Sequence, residues 1–143
     1  MNRLTKRGLK EKSMTLKILW LIIHTIFLYI AYTICFDDLV IWVDEIFDID
    51  YSKGNIYRKY CLISFGVFMY LRMNLTGLYL LKRKIPIDEF FGVTIAFAAY
   101  QIGFVLLGAW QPESLNILDS FGVLLFIIGS YFNTYSEIQR NRF

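Results

Sequence analysis

Four long apolar runs constrain this chain of 143 residues more than any other feature. They cover about residues 16–36, 60–81, 90–110 and 115–135. At 1.5 Å per helical residue, a run of this length spans about 31 Å, close to the roughly 30 Å hydrocarbon core of a bilayer. Backbone polar groups in lipid must be paired within the segment, which favours helices. We therefore predict an all-α integral membrane bundle of four transmembrane helices, in a single unit spanning 1–143.

The composition supports a membrane protein independently of the runs. Hydrophobic residues make up 57% of the chain and the mean hydropathy is +0.48, whereas a typical soluble domain is about 45–50% apolar. The first run exceeds the roughly 7–15 apolar residues of a cleaved signal peptide, so we interpret it as a retained anchor. No basic stretch is interleaved with stacking aromatics in a soluble context. The predicted partner is thus the lipid bilayer, and no nucleic acid is expected.

Charged residues flank the four runs asymmetrically. The segments 1–15, 82–84 and 140–142 are basic, whereas 37–55 contains six acids and one base. By the positive-inside rule both termini are predicted to be cytoplasmic, with 37–55 as an acidic outer loop that includes a short amphipathic helix. Arg58 and Lys59 are exceptions to this rule. The predicted location is multi-pass, in a plasma or inner membrane or in the endoplasmic reticulum.

One arginine lies well inside the second apolar run. Arg72 is about ten residues, or 15 Å, from the predicted cytoplasmic end of that helix. An ionisable residue at such a depth indicates a functional site, and Arg72 is the candidate catalytic residue. The alternative is a structural ion pair or hydrogen-bond anchor. Its predicted partners are Gln101 of the third helix and the polar residues 133–137 of the fourth.

The fourth helix changes from apolar to polar as it ends. Ser130, Asn133, Glu137 and Arg140 recur at offsets of three, four and three, which places them on one helical face. Amide, hydroxyl and carboxylate groups can bind a ribose or a carboxamide, and guanidinium pairs with phosphate. We therefore predict cofactor binding by Asn133, Ser136, Glu137 and Arg140. The alternative is an ordinary frayed helix end with solvated polar groups.

Two glycines of the fourth helix, Gly122 and Gly129, are seven residues apart and share a face. Because small residues allow helices to approach closely, this face is predicted to pack against a neighbouring helix.

The histidine and cysteine content gives little support for a metal site. His24 is the only histidine, so zinc and bis-histidine haem are disfavoured and no metal is predicted. We expect His24 to cap a neighbouring helix through a hydrogen bond, with a proton relay as the alternative. Cys35 and Cys61 lie at similar predicted depth. Two buried free thiols are favoured over a disulfide between them.

The segment Gly129-x-x-x-Asn133-x-x-Ser136-Glu137 resembles the Gly-x-x-x-Asn-x-x-Ser-Asp/Glu segment of the membrane-embedded steroid 5α-reductase family, which includes uncharacterised bacterial relatives. The resemblance covers roughly 57–142, that is, the N-terminal half of such a reductase. In the family this segment opens the NADPH-binding half, and its Asn and acidic residue face the cofactor. Tyr70 and Arg72 resemble a family Tyr and Arg, but the spacing differs by one residue, which turns Tyr70 to another face.

The resemblance implies an NADPH-dependent reductase of activated double bonds in a steroid or isoprenoid-like lipid, of the 3-oxo-5α-steroid 4-dehydrogenase type and incomplete alone. Hydride would pass from the nicotinamide to the alkene while polar side chains of the second and fourth helices polarise a conjugated ketone. The family's Asn-Tyr-Phe-Gly type motif has no counterpart in these residues. The alternative is a non-catalytic four-helix membrane protein that assembles with a second membrane polypeptide, such as a missing C-terminal half. A proton-coupled exporter is disfavoured, since no acid lies in the middle of a run.

Overall fold

The computed structural model describes residues 14–37, 39–48, 50, 53–81 and 85–142. The helices it contains are Met14–Phe36, Leu39–Phe47, Ile56–Leu75, Ile87–Ala98, Phe104–Gly108 and Ile117–Arg142. A π-helical turn at Thr76–Leu80 extends the third of these, and another at Ala99–Gly103 joins the fourth to the fifth. The described residues form no strand.

In the part of the chain that the structure describes, four continuous helical segments are long and apolar enough to cross a membrane. We call them span 1 (Met14–Phe36), span 2 (Ile56–Leu80), span 3 (Ile87–Gly108) and span 4 (Ile117–Arg140). The prediction of an all-α bundle of four membrane-crossing helices is therefore confirmed, and the chain has the architecture of a multi-pass membrane protein. The cytoplasmic location of the termini stays a prediction.

Hydrogen bonds between connections show how the spans alternate in direction. Near the start of span 1, the Lys17 ammonium donates to the carbonyl of Leu81, just after span 2. We call this the terminal end of the bundle. At the opposite end, the Asn55 N–H before span 2 donates to the carbonyl of Gln111 after span 3, at 2.9 Å. We call this the loop end; it also carries the short helix Leu39–Phe47.

Two asparagines fix the points at which spans 2 and 4 begin. The Asn55 side chain accepts hydrogen bonds from the backbone N–H groups of Tyr57 and Arg58, so span 2 begins before its apolar run does. The Asn116 side chain accepts from Leu118 N and Asp119 N, and the Asp119 carboxylate accepts from Asn116 N in return. Span 4 therefore begins with a reciprocal capping arrangement.

Most of the buried apolar side chains among the described residues form two clusters, one near each end. The loop-end cluster contains Ala31, Ile34, Cys35, Val43, Val105 and Ala109, with Leu62 and Ile63 packed against it. The terminal-end cluster contains Trp20, Ile85 and Phe90, with Leu16, Ile23, Met73, Leu81 and Val93 against it. Span 4 contributes to neither cluster in the described part of the chain.

Spans 1 and 2 are in tight contact at Gly77. A β-carbon placed on Gly77 would lie 2.4 Å from the Trp20 ring, so only glycine allows this contact. Gly122 and Gly129 differ from Gly77 in the space around them, because a β-carbon on either would meet nothing within 4 Å. The prediction that these two glycines pack closely against a helix is therefore wrong within the described chain, since Gly122 meets open space and Gly129 lines a cavity.

His24 is fully buried but does not cap a helix. Its ring stacks on Phe97 with centroids 3.9 Å apart and meets the edge of Trp20 at 4.9 Å. Neither ring nitrogen has a hydrogen-bond partner in the part of the chain that the structure describes. The prediction of a hydrogen-bonded cap was therefore wrong, since aromatic stacking fills this position. Cys35 and Cys61 are both free thiols.

Candidate intramembrane binding site

A cavity of about 250 Å³ lies between spans 2, 3 and 4. In spans 2 and 4 only 6% of the most apolar stretch is buried, compared with 33% in span 1 and 22% in span 3. Spans 2 and 4, the two least buried, both border this cavity. Its lining is Leu62, Phe65, Gly66, Met69, Arg72, Tyr100, Gln101, Phe104, Val105, Leu125, Phe126, Gly129, Ser130 and Asn133. An apolar wall with a few convergent polar groups is typical of a small-molecule site.

Arg72 enters the cavity from span 2. It lies eight residues before the end of that span at Leu80, about 12 Å along the helix axis. Its guanidinium donates to the Ser130 carbonyl of span 4 at 3.5 Å, and one nitrogen lies 3.3 Å from the Met69 sulfur. Its Nε has no partner among the described residues. Arg72 therefore makes weak contacts for a charged group, although it links spans 2 and 4.

Gln101 enters the cavity from span 3. It is 2% exposed, and neither its amide nitrogen nor its amide oxygen has a partner in the described part of the chain. The π-helical turn Ala99–Gly103 changes the local helical register, so the adjacent residues Tyr100 and Gln101 both line the cavity. Such turns often occur at functional sites. An unpaired buried amide of this kind costs about 1–3 kcal/mol, so it indicates a site for another molecule.

Span 4 closes the cavity with one stripe of its surface. Phe126, Ser130 and Asn133 follow at offsets of four and three, and all three line the cavity. Phe126 stacks on Phe65 of span 2 with ring centroids 4.4 Å apart. Ser130 is buried, whereas Asn133 is exposed at the rim. Residues of spans 2, 3 and 4 thus bring a guanidinium, two amides and hydroxyl groups to one cavity.

The four residues predicted to bind a cofactor are divided by the structure. Asn133 lines the cavity, but Ser136, Glu137 and Arg140 lie beyond it toward the terminal end. The Ser136 hydroxyl donates to the Asn133 carbonyl at 2.8 Å, and the Arg140 guanidinium pairs with the Glu137 carboxylate at 2.5 Å. These groups form a polar segment next to the cavity, and their role in cofactor binding stays a prediction.

Two features of the site, Tyr100 and the π-helical turn that contains it, are not predicted from the sequence. Tyr100 has no polar periodicity around it, and the π-helical turn that brings it to the cavity leaves no signal that apolar spacing detects. The predicted direct pairing of Arg72 with Gln101 is also wrong, because the Gln101 amide is unpaired. Tyr70 does face elsewhere, since its hydroxyl lies 2.9 Å from that of Thr25 in span 1.

An ion pair at the loop end attaches span 4 to span 2. The two terminal guanidinium nitrogens of Arg58 donate to the Asp119 carboxylate, at 2.7 and 2.9 Å. The side chains are only 12% and 24% exposed. This bidentate pair explains why Arg58 departs from the charge asymmetry of the flanks, because its charge is neutralised by Asp119. The available signal in the sequence for this ion pair was Asp119, an acid three residues after the capping residue Asn116 of span 4.

No family model, no curated protein and no solved structure matches this chain.

Proposed function

We propose that this protein binds a lipid-like molecule in the cavity between spans 2, 3 and 4, as the front part of an NADPH-dependent reductase of activated double bonds in steroid or isoprenoid-like lipids. One observation carries the proposal. Arg72, Gln101, Ser130 and Asn133 come from three different spans and line a single apolar cavity. Polar groups that converge in this way inside a membrane bundle are typical of substrate sites.

In this proposal the cavity holds the reacting end of the lipid and the polar end of span 4 holds the cofactor. Arg72 and Gln101 offer hydrogen-bond donors that can polarise a carbonyl conjugated to the double bond. Asn133 lies between the cavity and the Ser136–Arg140 segment, so it is placed to contact both molecules. Arg140 would then turn from Glu137 to a cofactor phosphate, leaving the carboxylate for a ribose.

Binding of NADPH to the purified chain in detergent tests the reductase part. We expect NADPH at millimolar concentration to raise the melting temperature, because a ligand of the folded state stabilises it. Asn133→Ala and Glu137→Ala should each abolish the shift. Gln139→Ala, an exposed polar position on the same helix, is the matched control and should keep it. The absence of any shift in the unaltered chain would contradict cofactor binding by the polar end of span 4.

A non-catalytic protein that assembles with a second membrane polypeptide is the second candidate. It is supported by Gly122, which lies outside the cavity lining and has open space in front of it. Another helix could approach closely there. This alternative predicts that the chain co-purifies with another membrane protein, and that Gly122→Leu prevents the co-purification. Leu124→Ala, at an exposed position on the opposite face of the same helix, should leave it unchanged.

A further inference from the structure

The charge balance of the cavity is unusual for a site inside a membrane. Arg72 is the one charged residue in the lining, and the lining includes no acidic side chain. In the described part of the chain no carboxylate pairs with Arg72, which contacts a carbonyl and two methionine sulfurs. An arginine inside a bilayer normally pairs with an acid or with several carbonyls. The cavity therefore carries a net positive charge.

Gln101, which lines the same cavity from span 3, is consistent with the same occupant. Gln101 is only 2% exposed, and neither its amide nitrogen nor its amide oxygen has a partner in the described residues. Its NH2 group adds donors to those of the guanidinium, and the Ser130 side chain adds a hydroxyl. A group of oxygen acceptors with negative charge would satisfy the donors of Arg72 and Gln101 together.

The size and opening of the cavity define the rest of the ligand. Its volume of about 250 Å³ is below the roughly 300–1,000 Å³ that enclose a whole drug-sized ligand. Tyr100 and Phe104 of span 3 and Leu125 of span 4 line it and are 51%, 52% and 63% exposed. The cavity therefore opens between spans 3 and 4, beside exposed apolar side chains of both spans. A head group fits inside, and an attached chain would extend into the bilayer.

We infer that the cavity binds the anionic head of a single-chain amphiphile, a carboxylate or a phosphate, between Arg72 and Gln101, with the chain leaving between spans 3 and 4. This inference rests on the lipid-binding part of the proposed function and does not depend on hydride transfer. It replaces the neutral conjugated ketone by an anionic head as the group that contacts Arg72, because a neutral ketone would leave the Arg72 charge uncompensated.

Competition binding with the full chain in phosphatidylcholine nanodiscs tests the inference. Radiolabelled oleate is the probe, and the competitors are oleyl phosphate, oleyl alcohol, methyl oleate and inorganic phosphate. We expect oleyl phosphate to compete about as well as oleate, and the two neutral lipids to compete at least about tenfold less well. Inorganic phosphate should not compete, since the chain supplies the apolar contacts. Competition by inorganic phosphate equal to that of oleyl phosphate would overturn the assignment of an amphiphile.

Substitutions connect the binding to the two residues. Arg72→Gln should weaken oleate binding by about tenfold or more, while Arg72→Lys, which keeps the charge, should retain most of it. Gln101→Met should weaken oleate and oleyl phosphate alike. Lys53→Gln removes one charge at an exposed position of the loop end and is the matched control, with unchanged binding expected. Equal oleate affinity in the unaltered chain and in Arg72→Gln would overturn the inference.

A neutral conjugated ketone, cholest-4-en-3-one, separates this inference from the proposed function. If the ketone binds and oleate does not, the charge requirement is wrong and the lipid-binding function stands. If neither lipid binds, both proposals fail.

Discussion

The first three spans and the fourth span are held in place by different kinds of contact. Spans 1 to 3 share two apolar clusters and include the tight contact of Gly77 with Trp20. Their ends are joined by the Lys17–Leu81 and Asn55–Gln111 hydrogen bonds. Span 4 adds nothing to either cluster among the described residues. It is attached by the Arg58–Asp119 ion pair, the Phe65–Phe126 stack and the weak Arg72–Ser130 contact.

This difference indicates that packing is less tight around the cavity than among spans 1 to 3. Close packing of spans 2, 3 and 4 would bury more apolar surface, but the cavity between them keeps polar groups available. Stability then comes from spans 1 to 3, and span 4 contributes polar side chains at the edge of the core. The predictions below test this division, from the largest expected effect to the smallest.

The ion pair at the loop end should be the most sensitive attachment of span 4. Arg58→Met removes one member of a bidentate, mostly buried pair and leaves the Asp119 carboxylate without its partner. We expect a loss of about 2–4 kcal/mol in the free energy of unfolding, measured by titration with a denaturing detergent. Arg140→Met, which breaks the more exposed pair with Glu137, is the control and should cost at most about 1 kcal/mol. Equal effects would show that the loop-end pair is not a special attachment.

A pair of glycine substitutions compares the two regions directly. Gly77→Ala places a methyl group 2.4 Å from the Trp20 ring, and we expect overpacking to cost about 1–3 kcal/mol. Gly122→Ala meets open space in span 4, so it should be neutral or should stabilise the helix by up to about 1 kcal/mol. Measurement of both by the same unfolding titration gives the contrast. A large loss at Gly122 would mean that another helix packs there.

Arg72 should reduce stability in the ligand-free protein. Its charge lies inside span 2 with weak partners, so Arg72→Met is expected to raise the free energy of unfolding by about 1–2 kcal/mol in ligand-free detergent while weakening ligand binding. A structural anchor would behave in the opposite way. The melting temperature of Arg72→Met relative to the unaltered chain distinguishes the two roles, and a clear decrease would favour the anchor.

The Glu137–Arg140 pair should matter least for folding. Arg140 is 59% exposed in its side chain, so Glu137→Gln is expected to change the free energy of unfolding by less than about 0.5 kcal/mol. Thermal unfolding without ligand measures this effect. A larger loss would assign the pair to the structure of span 4 and would weaken the case for a cofactor role.

Much of the architecture follows from the sequence because lipid allows few solutions. The four apolar runs predict the four spans, since length and hydropathy are enough to identify a membrane helix. The position of Arg72 inside span 2 also identifies the site, because a charge at that depth is rarely accidental.

The remaining features depend on packing that single-sequence patterns do not encode. The rotation of span 4, which exposes Gly122 and turns Ser130 inward, is set by contacts with span 2 that are distant in sequence. The His24–Phe97 stack joins spans 1 and 3 in the same way. The π-helical turn that brings Tyr100 and Gln101 to the cavity departs from the spacing of an ordinary helix, so regular periodicity does not predict it.

The rotation of span 4 is the central claim, because Phe126, Ser130 and Asn133 occupy one stripe that must face spans 2 and 3. Cross-linking of cysteines introduced at Phe65 and Phe126, in native membranes and with Cys35 and Cys61 replaced by alanine, tests it most directly. With a short bifunctional thiol reagent we expect efficient cross-linking of this pair, and little for the control pair at Phe65 and Leu124, which lies outside the cavity lining. Cross-linking of the control pair alone would show that the polar stripe faces away from the cavity and would contradict the account.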